Sequence, residues 1–230
     1  MEKIGFIGSY DKTDIIIYIA KILSALGKRV VVIDSTLNQK AKYVVPVINP
    51  TKSYVTEYEN FEVAVGFENS KDIAEYLGVE KLETLFDIAL IDTDSSKVLN
   101  DFNMKEAVIN YFVTSFDLFS LKKGLEILGG LGETIKMKKV LFSVNGAPEE
   151  NDYLDFLSSN YKIVWDEDII YFPIEKGDLG VIIENQRVSK LKFKKFTPYF
   201  IDGFSKMVQE IAGVSTVELK KVFKRIEKGV

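Results

Sequence analysis

Four residues carry the chemistry this sequence could perform: Lys12 and Thr13 at the head of an apolar stretch, and Asp34 and Asp92 at the ends of two others. An apolar segment, 4–7, runs into a short turn, Gly8-Ser9-Tyr10-Asp11, which delivers Lys12 and Thr13 to the start of the apolar stretch 14–26. That order of strand, loop and helix is the setting of the Walker A pattern G-x-x-x-x-G-K-[ST]. In it, loop N–H groups wrap phosphates, the Lys reaches the terminal phosphates and the Thr hydroxyl holds magnesium. The glycine expected before the Lys is here Asp11, which adds a Cβ where the backbone must turn and a carboxylate where a phosphate would sit. In an open parallel sheet, ligands bind at the carboxyl ends of strands. Asp34 and Asp92 beside such a loop therefore read as a magnesium site shared with Thr13, although a carboxylate at a strand end is otherwise only a turn or cap residue.

The elements that must position these residues follow from the apolar pattern. Continuous apolar runs predict strands at 3–7, 30–33, 88–91, 111–114, 139–144 and 169–172, of the kind covered on both faces. Helical stretches are predicted over 14–26, closed by Gly27, and 70–77, closed by Gly78, then over 118–128, 152–158 and 197–211, where Pro198 takes the first turn. The alternation predicts an α/β fold, a doubly wound, mostly parallel β-sheet flanked by helices. The stretch 37–67 fits it least well, with 44–47 and 61–65 forming an extra strand or hairpin.

Composition narrows the chemistry further. The 230 residues are 47% hydrophobic and 28% charged, enough for a full core. With no signal-peptide pattern and no apolar run near 18 residues, the expectation is a cytoplasmic protein. The absence of Cys and His excludes thiolate and imidazole metal sites and Ser-His or Cys-His nucleophile pairs, so no transition metal is expected. What remains is carboxylate, Lys and hydroxyl chemistry with a hard cation. The net charge of −4 hides an asymmetry: residues 187–230 hold eleven Lys/Arg against four Asp/Glu, a balance of +7 that leaves −11 for residues 1–186.

The succession of segments resembles the ParA/MinD family, the deviant Walker A ATPases, a SIMIBI-class P-loop group, from Lys3 to about Ala212. The segment 28–34 resembles the family's second strand, ending in an Asp near magnesium, and Phe86-Asp87-Ile88-Ala89-Leu90-Ile91-Asp92-Thr93 resembles its Walker B segment. The segment 112–121 with Gly124-Leu125-Glu126 resembles the strand and partner-facing helix that follow. Val144-Asn145 resembles the strand end whose Asn contacts adenine, and Phe172-Pro173 with 181–188 resembles the closing region. The resemblance implies ATP or ADP with magnesium as cofactor. It implies a nucleotide site at Gly8, Ser9, Tyr10, Asp11, Lys12, Thr13, Asp14, Asn145 and Pro173, and metal contacts from Thr13, Asp34 and Asp92. A homodimer and a protein partner of an assembly or partition system are implied too. The domain would span 1–212, with a basic amphipathic helix over 213–230.

Departures from the family pattern decide the functional expectation. The family loop reads K-G-G-x-G-K-[ST], and the position of its first Lys, which reaches the partner's nucleotide, is Ile7. Ser9 and Asp11 replace two loop glycines. The Asp that orients the attacking water aligns with Thr36, whose hydroxyl cannot take a proton as a carboxylate can. Removing one charged group that stabilises phosphoryl transfer typically lowers rates by factors of ~10³ to ~10⁵. The sequence therefore reads as a degenerate member, a pseudo-ATPase scaffold that binds nucleotide weakly or not at all. The alternative is an active magnesium-dependent ATPase with an altered loop, serving plasmid or chromosome partition or conjugation.

The C-terminal fifth adds a surface. Ser215 followed by Glu218 reads as a capping box opening a helix to about Lys228. Leu219, Val222, Phe223 and Ile226 fall on one face, and Lys220, Lys221, Lys224, Arg225 and Lys228 fill much of the rest. This resembles the membrane-targeting helix of MinD-type proteins, while a terminal helix docked on its own domain is the plain alternative. The cluster 187–195, with Lys192, Lys194 and Lys195, reads as an edge strand or extended segment suited to a DNA backbone, or as a solvated face. The pattern leaves membrane and nucleic acid open, with a peripheral membrane location as one outcome.

Overall fold

The computed structural model describes residues 1–48, 50–143 and 148–228. Eight strands form one sheet: β1 (Glu2–Ile7), β2 (Val30–Asp34), β3 (Tyr54–Tyr58), β4 (Phe61–Val65), β5 (Ile88–Thr93), β6 (Ile109–Ser115), β7 (Ile135–Ser143) and β8 (Ile163–Pro173). Their spatial order is β3-β4-β2-β5-β1-β6-β7-β8, and all neighbours are parallel except β3 and β4. The helices are α1 (Thr13–Ala25), α2 (Ala41–Val44), α3 (Ser70–Tyr76), α4 (Ser96–Asp101), α5 (Leu118–Gly129), α6 (Pro148–Ser158), α7 (Lys176–Val188), α8 (Pro198–Ala212) and α9 (Thr216–Lys228).

Side chains alternate across each strand, so the apolar runs feed two cores. Ile4 and Phe6 of β1 join Ile88 and Leu90 of β5 on one face, beneath α1, α8 and α9. Ile7, Ala89 and Ile91 point to the other face, with residues of α3, α5 and α6. Ile7, the position of the family's first loop lysine, is fully buried in the second core. The end of β1 is therefore sheet rather than loop.

The doubly wound, mostly parallel sheet is the one expected, with three differences in detail. The segment 61–65 is a strand, but its hairpin partner is β3, not 44–47. Val44 ends the short α2, and Pro46, which has no N–H to give a ladder, keeps this stretch out of the sheet. Glu59 and Asn60 turn the hairpin with φ values of 50° and 68°, the left-handed pair of a tight hairpin turn. Residues 176–188 form the helix α7, although Gly177 and Gly180 weaken its helical signal. The cluster 187–195 is not an edge strand: α7 runs through Val188, and the rest is an irregular segment with a turn at 194–195 that buries Leu191 and Phe193, with Phe196 buried just beyond it. The edges of the sheet are β3 and β8.

Candidate nucleotide site

The loop leaves β1 at Gly8, whose φ is +142°. A Cβ there would lie 2.1 Å from the carbonyl oxygen of Val113 on the neighbouring β6, so only glycine fits. Ser9 Oγ then donates to Ser120 O at 2.8 Å, tying the loop to the first turn of α5. Tyr10 packs on Phe142 with ring centroids 4.5 Å apart. Burial, and after it the neighbouring Asp11 carboxylate, holds the Tyr10 phenol above its ordinary pKa.

Lys12 turns inward. Its ammonium donates to Gly8 O at 2.8 Å and lies 2.8 Å from Asp92 Oδ1, with only 3% of its side chain exposed. Thr13 Oγ1 donates to the other Asp92 oxygen at 3.2 Å. Burial pushes the Asp92 carboxyl up to about 6, and the Asp34 charge adds to this, while Lys12 and Thr13 oppose it. Asp34 stands directly beside Asp92 in the sheet register. Its Oδ1 accepts from Thr36 Oγ1 at 2.6 Å and Thr36 N at 3.0 Å, and its Oδ2 accepts from Ala41 N at 2.9 Å. The Thr36 hydroxyl is thus committed to holding Asp34 and, through Gln39 N at 3.1 Å, the turn that follows.

Asp11 fills the head of α1 itself. Its Oδ1 accepts from Thr13 N at 3.3 Å, and its Oδ2 lies 2.5 Å from Lys40 Nζ. Lys40 also lies 2.5 Å from Asp14 Oδ2, and Gln186 of α7 donates to Asp14 Oδ1 at 2.7 Å. A cleft of about 470 Å³ opens above these groups, lined by the loop with Thr36, Lys40, Tyr43, Asp92 and Asp94. Beside it lies an apolar pocket of about 280 Å³ that includes Tyr10, Phe142, Pro173 and Phe200.

No family model matches the sequence, and no curated protein matches it. Solved structures match over almost the whole chain. A chain of the MinC:MinD cell division protein complex of Aquifex aeolicus superposes with a TM-score of 0.61 at 13% identity, covering 94% of this chain and 97% of its own. A plasmid partition protein of Borrelia burgdorferi, bound to AMPPNP, gives 0.58 at 11% identity over 92% of this chain and 98% of its own. An ATP complex of Cyanothece McdA gives 0.57 at 12% identity, over 94% and 98%. The fold is that of the ParA/MinD ATPases.

On this ParA/MinD fold, the expected loop residues Gly8 to Thr13 gather at one cleft, with Asp14 and Pro173 lining the pocket beside it. Asn145 lies outside the described residues. Thr13 and Asp92 offer hard oxygen donors of the kind magnesium takes. As the loop stands, however, Lys12 and Thr13 hold both Asp92 oxygens, and Asp11 holds the N–H of Thr13. Among the described residues, no cluster of three or more Asp or Glu comes together as a metal site.

Lys40 and Gln186 escaped the sequence reading. An Asp inside a phosphate loop demands a counter-charge, and that requirement is the one signal pointing to a lysine in the turn after β2. The basic residues of the C-terminal fifth gather elsewhere, at the edge of the sheet where α1 ends. Lys192 and Lys194 are exposed there, and Lys195 is exposed but paired with Glu184 at 2.7 Å. Lys220, Lys221, Lys224 and Arg225 are exposed on α9. Leu219 and Val222 are buried against the body, and Phe223 packs on Phe193 with centroids 5.4 Å apart. Arg225 donates to Ala25 O at 3.0 Å, closing the carboxyl end of α1. The apolar face of α9 is therefore docked on its own domain. A cleft of about 1110 Å³ lies between the β3–β4 turn, the segment 189–194 and the end of α9. Among the described residues, no helix is long and apolar enough to cross a membrane.

Proposed function

We propose that this chain is a ParA/MinD-fold protein that has given up the nucleotide cycle and works as a cytoplasmic positioning or assembly scaffold. The observation that carries this reading is the self-satisfied loop: Lys12 spends its charge on Gly8 O and Asp92, while Asp11 takes the N–H of Thr13 and the ammonium of Lys40. A nucleotide phosphate would have to displace the Gly8 carbonyl and the Asp92 carboxylate from Lys12, and the Asp11 carboxylate from Thr13 N and Lys40, and would meet Asp11 as a like charge. With Ile7 and Thr36 in the two positions that assist hydrolysis, turnover would be lower still. Any magnesium bound with a nucleotide would be held by Thr13, Asp92 and Asp34 and would supply charge for the phosphates.

Exposed apolar side chains near the cleft support a scaffold role. Leu37 and Tyr43 are exposed in and after the turn that lines it, and Leu118 and Phe119 at the head of α5, to which Ser9 ties the loop. Grouped exposed apolar side chains of this size favour contact with another protein, either a second copy or a partner of the assembly. The basic α9 and segment 189–195 add a polar face toward anionic surfaces, and the docked apolar side of α9 favours electrostatic contact over insertion.

An active ATPase is the second reading, favoured by the convergence of Lys12, Thr13 and Asp92 on an open cleft. Calorimetry with ATP and magnesium, on the wild type and on Lys12→Ala, separates the two. The scaffold reading expects no binding tighter than about millimolar and no turnover. Micromolar binding that Lys12→Ala abolishes, with phosphate release, establishes the ATPase instead.

A further inference from the structure

Lys40 is placed with more precision than a surface lysine needs. The turn that carries it is anchored at both ends by Asp34, which accepts from Thr36 N and from Ala41 N. This anchoring sets the Lys40 ammonium 2.5 Å from Asp11 and 2.5 Å from Asp14, with its side chain 29% exposed. Burial works against the ammonium, yet the Asp14 and Asp11 charges outweigh it and raise its pKa. Lys40 also borders both the loop cleft and the apolar pocket beside it, so its charge sits on their shared edge.

Lys12 and Lys40 are the cations lining the cleft, and each is neutralised within the chain. Ile7, fully buried, supplies none. We propose that Lys40 is a latent phosphate-binding lysine held by Asp11 and Asp14, and that neutralising Asp11 converts the loop into a site for a di- or triphosphate anion. The Asp11 carboxylate lies at the head of α1, where it removes one N–H donor from the cleft and one positive charge from its edge. Without that charge, Asp14 is the carboxylate left to pair with Lys40, and Lys40 keeps N–H donors for a ligand. The inference rests on the reading above that the unaltered loop does not take nucleotide.

The test is calorimetry with two probes, magnesium ADP and inorganic tripolyphosphate, on the wild type, Asp11→Asn and the double variant Asp11→Asn/Lys40→Met, each checked by thermal melting. The expected result is silence from the wild type, binding of both probes by Asp11→Asn at least about tenfold tighter than the wild-type limit, and loss of that gain in the double variant. Binding of tripolyphosphate alone keeps the latent lysine and removes the nucleoside pocket from the account. A silent Asp11→Asn that melts normally overturns the latch and leaves the scaffold reading standing. So does a gain that survives Lys40→Met, since the Asp11 charge alone then accounts for it. Micromolar binding by the wild type overturns the scaffold reading and the latch together. If Asp11→Asn fails to fold, Asp11→Gly removes the same charge, and with it the acceptor of Thr13 N, and carries the same expectations.

Discussion

At the loop end of the sheet, charged side chains satisfy one another; at the opposite edge, where α1 ends and α9 docks, many are left over. Lys12 meets Asp92, Lys40 meets Asp11 and Asp14, and Asp34 is held by the backbone of the turn that follows it. Around α9 the order is reversed. Leu219 and Val222 are buried, and Lys194, Lys220, Lys224 and Lys228 make no ion pair among the described residues. The first region pairs its charged side chains with one another, while the second keeps its polar groups in solvent. The difference predicts that substitutions at the loop are felt as stability, and substitutions of the α9 lysines are felt by an anionic partner or not at all.

The largest expected effect is at Gly8. Gly8→Ala places a methyl group 2.1 Å from Val113 O at a φ of +142°, and we expect a loss of about 5 kcal/mol or failure to fold, read by circular dichroism. Asp92→Asn leaves the Lys12 ammonium buried without a carboxylate counter-charge, and a loss of about 3 to 5 kcal/mol is expected in denaturant titrations.

Lys12→Met should cost less, because Asp92 can take up a proton. Its carboxyl is already pushed by burial to about 6, from an ordinary value of 3.8, and losing Lys12 removes the main force opposing that shift. A carboxyl whose folded pKa lies above its unfolded one holds its proton more tightly when folded. The ionisation penalty is therefore absent below the unfolded value and grows as pH rises through the folded one. The Lys12→Met variant should be more stable at about pH 5 than at about pH 8, by more than the wild type is. An identical pH profile in the two proteins would show that Lys12 and Asp92 are not coupled.

At α9 the contrast runs between the two faces of one helix. Leu219→Ala removes a buried side chain and should cost about 2 to 4 kcal/mol. The triple change of Lys220, Lys221 and Lys224 to Gln should stay within about 0.5 kcal/mol in the same melts. If that triple variant is as destabilised as Leu219→Ala, the lysines serve the fold and the comparison between the two ends fails.

The sequence carried the sheet because its central strands are buried on both faces and read as unbroken apolar runs, as Val30 to Ile33 and Ile88 to Ile91 do. It carried the loop because Gly8, Lys12 and Thr13 are local to one another. It did not carry β3, whose Tyr-Val-Thr-Glu-Tyr alternation was overshadowed by the valines at 44–47, or α7, whose two glycines hide its period. The pairing of Lys40 with Asp11 spans 29 positions, and that of Gln186 with Asp14 spans 172. Contacts of that range are set by topology and leave no local spacing to read. The two faces of α9 are legible as a pattern, but the docking of its apolar face depends on Phe193, in a segment whose alternation reads equally as an edge strand or an extended segment.

The central claim is that the loop has closed on itself, and titration of the wild-type protein with ATP and magnesium in a calorimeter tests it most directly. The account predicts no binding heat at protein and ligand concentrations that would reveal a dissociation constant tighter than about 1 mM. Saturable micromolar binding, abolished by Lys12→Ala and accompanied by phosphate release, would contradict it.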